Sequence, residues 1–197
     1  RDIMSELPPI TIVMTTFFPD QRRKVAARMT LKSWRRRLQY GGHLYLNVAD
    51  DGSDPFIFND FLDRAYRIWG ESVYKSQQQR RGVGASLNLG FRTAFENSPL
   101  VLYAVDDWAL TQPFDLTPWA QLLMEREDVG MVRLGPPHPG TSGVVEMFTE
   151  NWQGWGLRLD RKGFAFGHRP ALYHKRMIDR YGWFIEDVNA LECERYY

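Results

Sequence analysis

From residue 10 to residue 135, short apolar runs rich in β-branched residues alternate with longer segments of helical periodicity, and that alternation leaves few folds open. ITIVMTTF (10–17) reads as a buried strand, and a basic helix follows over about 21–39, stopped by Gly41-Gly42. HLYLNVA (43–49) is a second strand, and DPFIFNDFLDRAYRIW (54–69) is a helix with Pro55 suited to its first turn. SVYKSQ (72–77) is a third strand, before a helix over 84–97 that is apolar at Leu87, Phe91, Ala94 and Phe95. LVLYAV (100–105), a helix over 117–127 and VGMVRLG (129–135) complete the series. The pattern predicts an α/β fold: a mostly parallel, Rossmann-like sheet flanked by helices on both faces. After Gly135 the regularity fails. PPHPGTSG is a loop, 144–174 holds short strands rich in Gly and Trp, and 175–197 holds helical pieces. Without repeats or a linker, the change near residue 136 reads as a change of role within a single domain, 1–197.

Composition narrows the function classes. A chain of 197 residues, 44% hydrophobic, can bury one full core. A net charge of +1 gives no overall field for nucleic acid, so none is expected as a partner. The lone Cys193 excludes an internal disulfide and a cysteine-based zinc site, and agrees with a cytoplasmic setting. No apolar run approaches the roughly 18 to 20 residues that span a bilayer. RDIMSELPPI has no apolar core of a signal peptide. The sequence opens without Met and closes on ERYY, which leaves open that it is a piece of a longer chain. Arg22, Arg23, Lys24, Arg28, Lys32, Arg35, Arg36 and Arg37 lie in one acid-free stretch. Val25, Met29 and Leu38, with Ala26 and Trp34, form its candidate buried stripe. The basic side is either a solvated face or a patch for an acidic partner or anionic lipid, which would make helix 21–38 a peripheral membrane contact.

Ligands of open parallel sheets bind at the carboxyl ends of the strands. The first strand ends at Thr15-Thr16-Phe17, and the second at Asp50, Asp51 and Ser53. The third leads through Arg80, Arg81, Gly82 and Gly84 into a helix start, and the fourth ends at Asp106-Asp107. Taken alone, each is an ordinary loop, and Asp, Gly and Ser are turn formers. Together they suit a sugar nucleotide. A divalent cation such as Mn2+ or Mg2+, held by one or two carboxylates, neutralises a departing diphosphate. Arginines steady the base or the phosphates. Adjacent strand residues point opposite ways, so Asp106 and Asp107 would divide these tasks. Competing classes lack their motifs. No glycine-rich turn follows the first strand, no Gly-Lys-Ser/Thr occurs, and no Gly-x-Ser-x-Gly occurs.

The order TIVMTTF, VADDGSD, GVGASLNLG, VLYAVDDW resembles the family 2 glycosyltransferases of the GT-A fold, over roughly residues 9–110 and less clearly 130–197. The resemblance implies an inverting transfer from a UDP- or GDP-type donor to a glycan or other hydroxyl acceptor. It also implies a nucleotide half over 9–135 and an acceptor half over 136–197. It places Asp51, or Asp50, on the base, Asp106 on the ribose and Asp107 on the metal, with Thr15, Thr16 and Arg81 beside the nucleotide. Asn88 and Gly90 keep the family's register, Ser86-Leu87 stand where Ala-Arg is usual, and Trp108 stands where a third acid often does. The general base would come from YGWFIEDVNALECERYY, with Glu192 ahead of Asp187, and Glu186 and Glu194 also present. Trp152 and Trp155 either stack on an acceptor sugar or pack under a loop. His168 and His174 are either late metal ligands or structural. A non-catalytic nucleotide- or glycan-binding relative is the alternative to the enzyme.

Overall fold

Strand β1 (Ile10–Thr16) is buried along its whole length, as its continuous apolar sequence requires of a strand covered on both faces. The computed structural model describes residues 7–134, 144–148, 153–158 and 169–195. On one side β1 pairs in parallel with β3 (Leu44–Asp50), which pairs in parallel with β4 (Val73–Gln77). On its other side β1 pairs in parallel with β5 (Leu100–Val105). Helices α1 (Gln21–Arg37) and α2 (Pro55–Trp69) connect the first three of these strands, and α3 (Val83–Phe95) carries the chain back across to β5. The direction of winding therefore reverses between β1 and β5.

The two faces of the sheet separate cleanly. Ile10, Ile12 and Met14 of β1 and Leu100, Leu102 and Ala104 of β5 share a core with Ala27, Leu31 and Trp34 of α1 and with Phe58 and Phe61 of α2. Trp119, Ala120 and Leu123 of α4 (Thr117–Glu125) join the same core. Val13, Val101, Tyr103 and Val105 face the other way, onto Leu87, Phe91 and Ala94 of α3. This is the period-two alternation of a strand set between two helical layers.

Three details depart from the sequence reading. First, α1 ends at Arg37, because Leu38 turns extended and Leu38–Gln39 (β2) pairs in parallel with Phe114–Asp115 (β6). Second, the stripe of α1 is shifted. Val25 and Met29 are 51% and 65% exposed, and the buried side is Lys24, Ala27, Thr30, Leu31, Ser33 and Trp34. Lys24 tolerates burial because it pairs with Asp60 of α2, which Arg28 also reaches at 2.7 Å. Third, β7 (Val129–Arg133) does not neighbour β5. The late strand β10 (Ala171–His174) inserts between them, antiparallel to both. Beyond β7 the sheet continues antiparallel through β9 (Gln153–Arg158) and β8 (Val144–Phe148). Among the described residues no helix is long and apolar enough to cross a membrane.

Strand β10 runs straight into α5 (Lys175–Tyr181), and His174 caps it: its Nδ1 accepts the Arg176 N–H at 3.1 Å. Desolvation, aided by the Arg176 charge, lowers the His174 pKa from 6.5 to about 4. The unfolded chain therefore takes up a proton that the folded chain refuses. This contribution is fully present above pH 6.5 and is lost as pH falls towards about 4. His174→Asn keeps a capping oxygen but does not titrate, so its urea midpoint should fall less than the parent's across that window. Equal falls would show that His174 is not the acid-sensitive group.

Candidate functional site

The reversal of winding opens a crevice at the carboxyl ends of β1, β3 and β5, and a cavity of about 500 Å³ lies there. Its wall includes Thr15, Thr16, Asp51, Tyr103, Asp106 and Asp107. A neighbouring hollow of about 480 Å³ shares Asp51, Val83 and Ala190 with it and adds Arg80, Arg81 and Asp187. The strand ends named from the sequence thus meet on one edge.

Asp50 and Asp51 have different surroundings. Asp50 is fully buried and accepts from Thr16 Oγ1 at 3.0 Å, Ser53 Oγ at 2.5 Å, the Ser53 and Gly52 N–H groups and Gln77 Nε2. Ser53 Oγ in turn accepts the Phe18 N–H at 2.7 Å. Asp50 therefore ties the ends of β1, β3 and β4 into one rigid rim. Asp51 lines both cavities, and its carboxylate takes the N–H groups of Arg81 at 2.8 Å and Gly82 at 3.0 Å. That places the start of α3 beside the crevice.

Strand β5 ends at Val105, and Asp106-Asp107 lie in a turn closed by the Trp108 N–H on the Val105 carbonyl at 3.2 Å. The strand alternation that would separate the two acids does not reach them. Both meet one guanidinium, that of Arg23 in the first turn of α1. Arg23 Nε and Nη2 grip Asp106 at 3.0 and 2.5 Å, and Nη1 reaches Asp107 at 2.9 Å. Burial pushes the Asp106 carboxyl up to about 6, against the opposing pull of Arg23. Asp107 is half-exposed. Trp108 is 42% exposed at the cavity wall, and its carbonyl accepts Trp34 Nε1–H at 2.7 Å. The sequence reading gave Arg23 no site role. Its place in the first turn after β1, directly above the strand end, was the available signal.

The segment after α5 closes the other side. Asn88 of α3 accepts the Phe184 N–H at 2.9 Å and donates to the Phe184 carbonyl and to Glu186 at 2.8 Å. A Cβ on Gly84 would overlap the Ile185 carbonyl oxygen, so glycine permits this close approach. Arg81 pairs with Glu186 at 2.8 Å and with Asp187 at 2.7 Å. Asp187 adopts a positive φ of 61°, and the Arg81 bond holds its carboxyl below the usual range. Glu192 accepts the Asn189 N–H at 3.2 Å while Asn189 Oδ1 accepts the Glu192 N–H at 3.0 Å. That is a capping box on α6 (Ala190–Arg195), and Glu192 is not among the residues lining either cavity. His174 caps α5 rather than standing at the crevice. Trp152, His168 and the side chains of Trp155 and Glu194 lie outside the described residues. Among the described residues no group of three His, Cys, Asp or Glu side chains could hold a metal ion.

No family model matches the chain, and no curated protein does. Solved structures match its fold. A mannosyltransferase, PcManGT from Pyrobaculum calidifontis in complex with GDP-Man and Mn2+, superposes with a TM-score of 0.63 at 14% identity, over 96% of this chain and 51% of that one. Residues 1–349 of S. aureus TarS give 0.61 at 16% identity, over 95% of this chain and 53% of that one. GalNAc-T7 with UDP, GalNAc and Mn2+ gives 0.56 at 11% identity, over 91% of this chain and 38% of that one. The chain thus has the GT-A α/β fold, and it spans about half or less of the length of these structures.

Asp50→Asn should lower stability by about 3 kcal/mol, because its amide cannot accept every bond the carboxylate holds. For a domain of this size that is a fall in Tm of roughly 10 °C. A Tm within about 2 °C of the parent would remove Asp50 from its structural role.

Proposed function

We propose that this chain is a glycosyltransferase domain moving a sugar from a nucleotide-sugar donor to a hydroxyl acceptor, by inversion as in the family 2 pattern. The observation that carries the reading is the pair of carboxylates delivered by the turn after β5 to a roomy cavity at the reversal of winding. Asp51, which lines both cavities, suits the base of the nucleotide, with Thr15, Thr16 and Arg81 around it. Asp50 serves the same end indirectly, by fixing the rim. Asp106 suits the ribose and Asp107 the diphosphate side.

The residues present fit a hard divalent cation. Two carboxylates share one cationic partner, the Arg23 guanidinium. Mn2+ or Mg2+ takes oxygen ligands and needs only one or two carboxylates beside substrate phosphates. Asp107, with Asp106 behind it, would hold the ion, which when bound supplies positive charge to the leaving diphosphate.

For the proton of the acceptor hydroxyl, Asp187 is our preferred base over Glu192. Asp187 lines the adjoining hollow and is kept ionised by Arg81, while Glu192 caps a helix. Asp187→Asn should lower the transfer rate about 100-fold or more, the usual contribution of a general base. Glu192→Gln should leave turnover within about threefold and stability within about 0.5 kcal/mol, because a glutamine oxygen also accepts the Asn189 N–H of a capping box. The opposite pattern would return the base to Glu192.

One observation favours a non-catalytic relative: Asp106, Asp107, Glu186 and Asp187 each already carry an internal arginine partner. Calorimetric titration of UDP, GDP, CMP and dTDP, with and without Mn2+, separates the readings when paired with a donor-turnover assay. The transferase reading expects one nucleotide to bind, Asp107→Asn to weaken it at least about tenfold, and its sugar conjugate to turn over. Binding without turnover supports the relative. No binding by any of the four contradicts the transferase and leaves a glycan-binding relative.

A further inference from the structure

Arg23 is held from two ends. Its N–H donates to the N-cap Asp20 at 3.0 Å, which fixes the backbone at the start of α1. Its guanidinium reaches over the cavity wall to Asp106 with two bonds and to Asp107 with a third. A planar fork that satisfies two neighbouring carboxylates at once is a geometry that lysine cannot copy.

The charges at this wall do not balance. One guanidinium faces two carboxylates, so the cluster keeps surplus negative charge where a diphosphate would lie. Such a wall repels a diphosphate. The Asp107 carboxylate is also the group that a hard cation would seek, and a unit positive charge 2.9 Å from its Oδ2 disfavours any second cation there. A divalent ion that takes both acids would therefore have to displace Arg23, which occupies both Asp106 oxygens and Oδ2 of Asp107. Its arrival would reverse the sign of the wall and release a second cation towards the anionic ligand.

We propose that Arg23 and a divalent cation compete for Asp106 and Asp107, so that Arg23 holds the empty site together, weakens binding of metal alone, and turns to the diphosphate once metal and nucleotide arrive together. The metal and nucleotide parts rest on the glycosyltransferase reading; the competition rests on the three Arg23 bonds. Arg23 acts here as a positioning residue through the two acids, and as a ligand contact only after release.

The test uses the whole chain and Mn2+ alone as the probe, by calorimetry or by the loss of the free-ion electron paramagnetic resonance signal. Arg23→Gln should bind Mn2+ roughly tenfold more tightly than the parent, since two carboxylates then face the ion without a competing charge. With Mn2+ saturating, the same variant should bind the nucleoside diphosphate more weakly than the parent, because the released cation is missing. Asp107→Asn added to Arg23→Gln should cancel the gain in Mn2+ affinity. If Arg23→Gln does not fold, as judged by thermal melting, Arg23→Lys takes its place and should show a smaller gain, the charge being kept and the fork lost. Equal or weaker Mn2+ binding by the folded variant overturns the competition, as does a gain that survives Asp107→Asn. A gain in Mn2+ affinity without nucleotide binding to any variant would keep the competition and sink the transferase reading. Nucleotide binding with no change in Mn2+ affinity would do the reverse.

Discussion

Strand β1 has a parallel neighbour on each side; helix α1, which leads from it to β3, lies on one face of the sheet, and α3, which leads into β5, lies on the other. Everything at the candidate site depends on that reversal. Where two crossovers diverge, no helix covers the strand ends, and a crevice is left at the carboxyl edge. The sheet delivers Thr15 and Thr16 from β1, Asp50 and Asp51 from β3, and Asp106 and Asp107 from the turn after β5. Helix α3 starts beside them because Asp51 takes the N–H groups just before it. The last segment docks on α3 through Asn88 and closes the far side.

The electrostatics follow one scheme. Acids at or near the crevice are met by arginines from elements distant in sequence: Arg23 on Asp106 and Asp107, Arg81 on Glu186 and Asp187. On α1, Lys24 and Arg28 turn to Asp60, Arg35 lies 5.7 Å over the Trp69 ring and Arg37 reaches the Leu110 carbonyl. The basic residues of α1 thus divide: these and Arg23 have partners within the protein, while Arg22, Lys32 and Arg36 stand exposed. Paired charges thus brace both sides of the crevice.

Much of this was legible in the sequence, for reasons that differ by element. Strands β1 and β5 were readable because burial on both faces makes them continuously apolar, and α2 because Asp54 and Pro55 announce its start. The meeting of strand ends followed from the parallel topology. Strand β10 was not placed, because four residues carry no period and nothing local says that ALYH will insert between β5 and β7. The stripe of α1 was misplaced because Lys24 is buried by an ion pair while Val25 and Met29 stand outside. The sequence puts Glu192 ahead of Asp187 because spacing alone does not show the capping box that Glu192 forms with Asn189. The task of Arg23 depends on a contact across 83 residues, which composition does not record.

A crystal structure of the chain with a nucleoside diphosphate and Mn2+ tests the central claim most directly. The account predicts the base against Asp51 and the diphosphate beside the turn that follows β5, within the crevice between β1 and β5. Nucleotide seated elsewhere, such as the hollow lined by Trp34, Trp69 and His43 near the amino ends of β3 and β4, would contradict it.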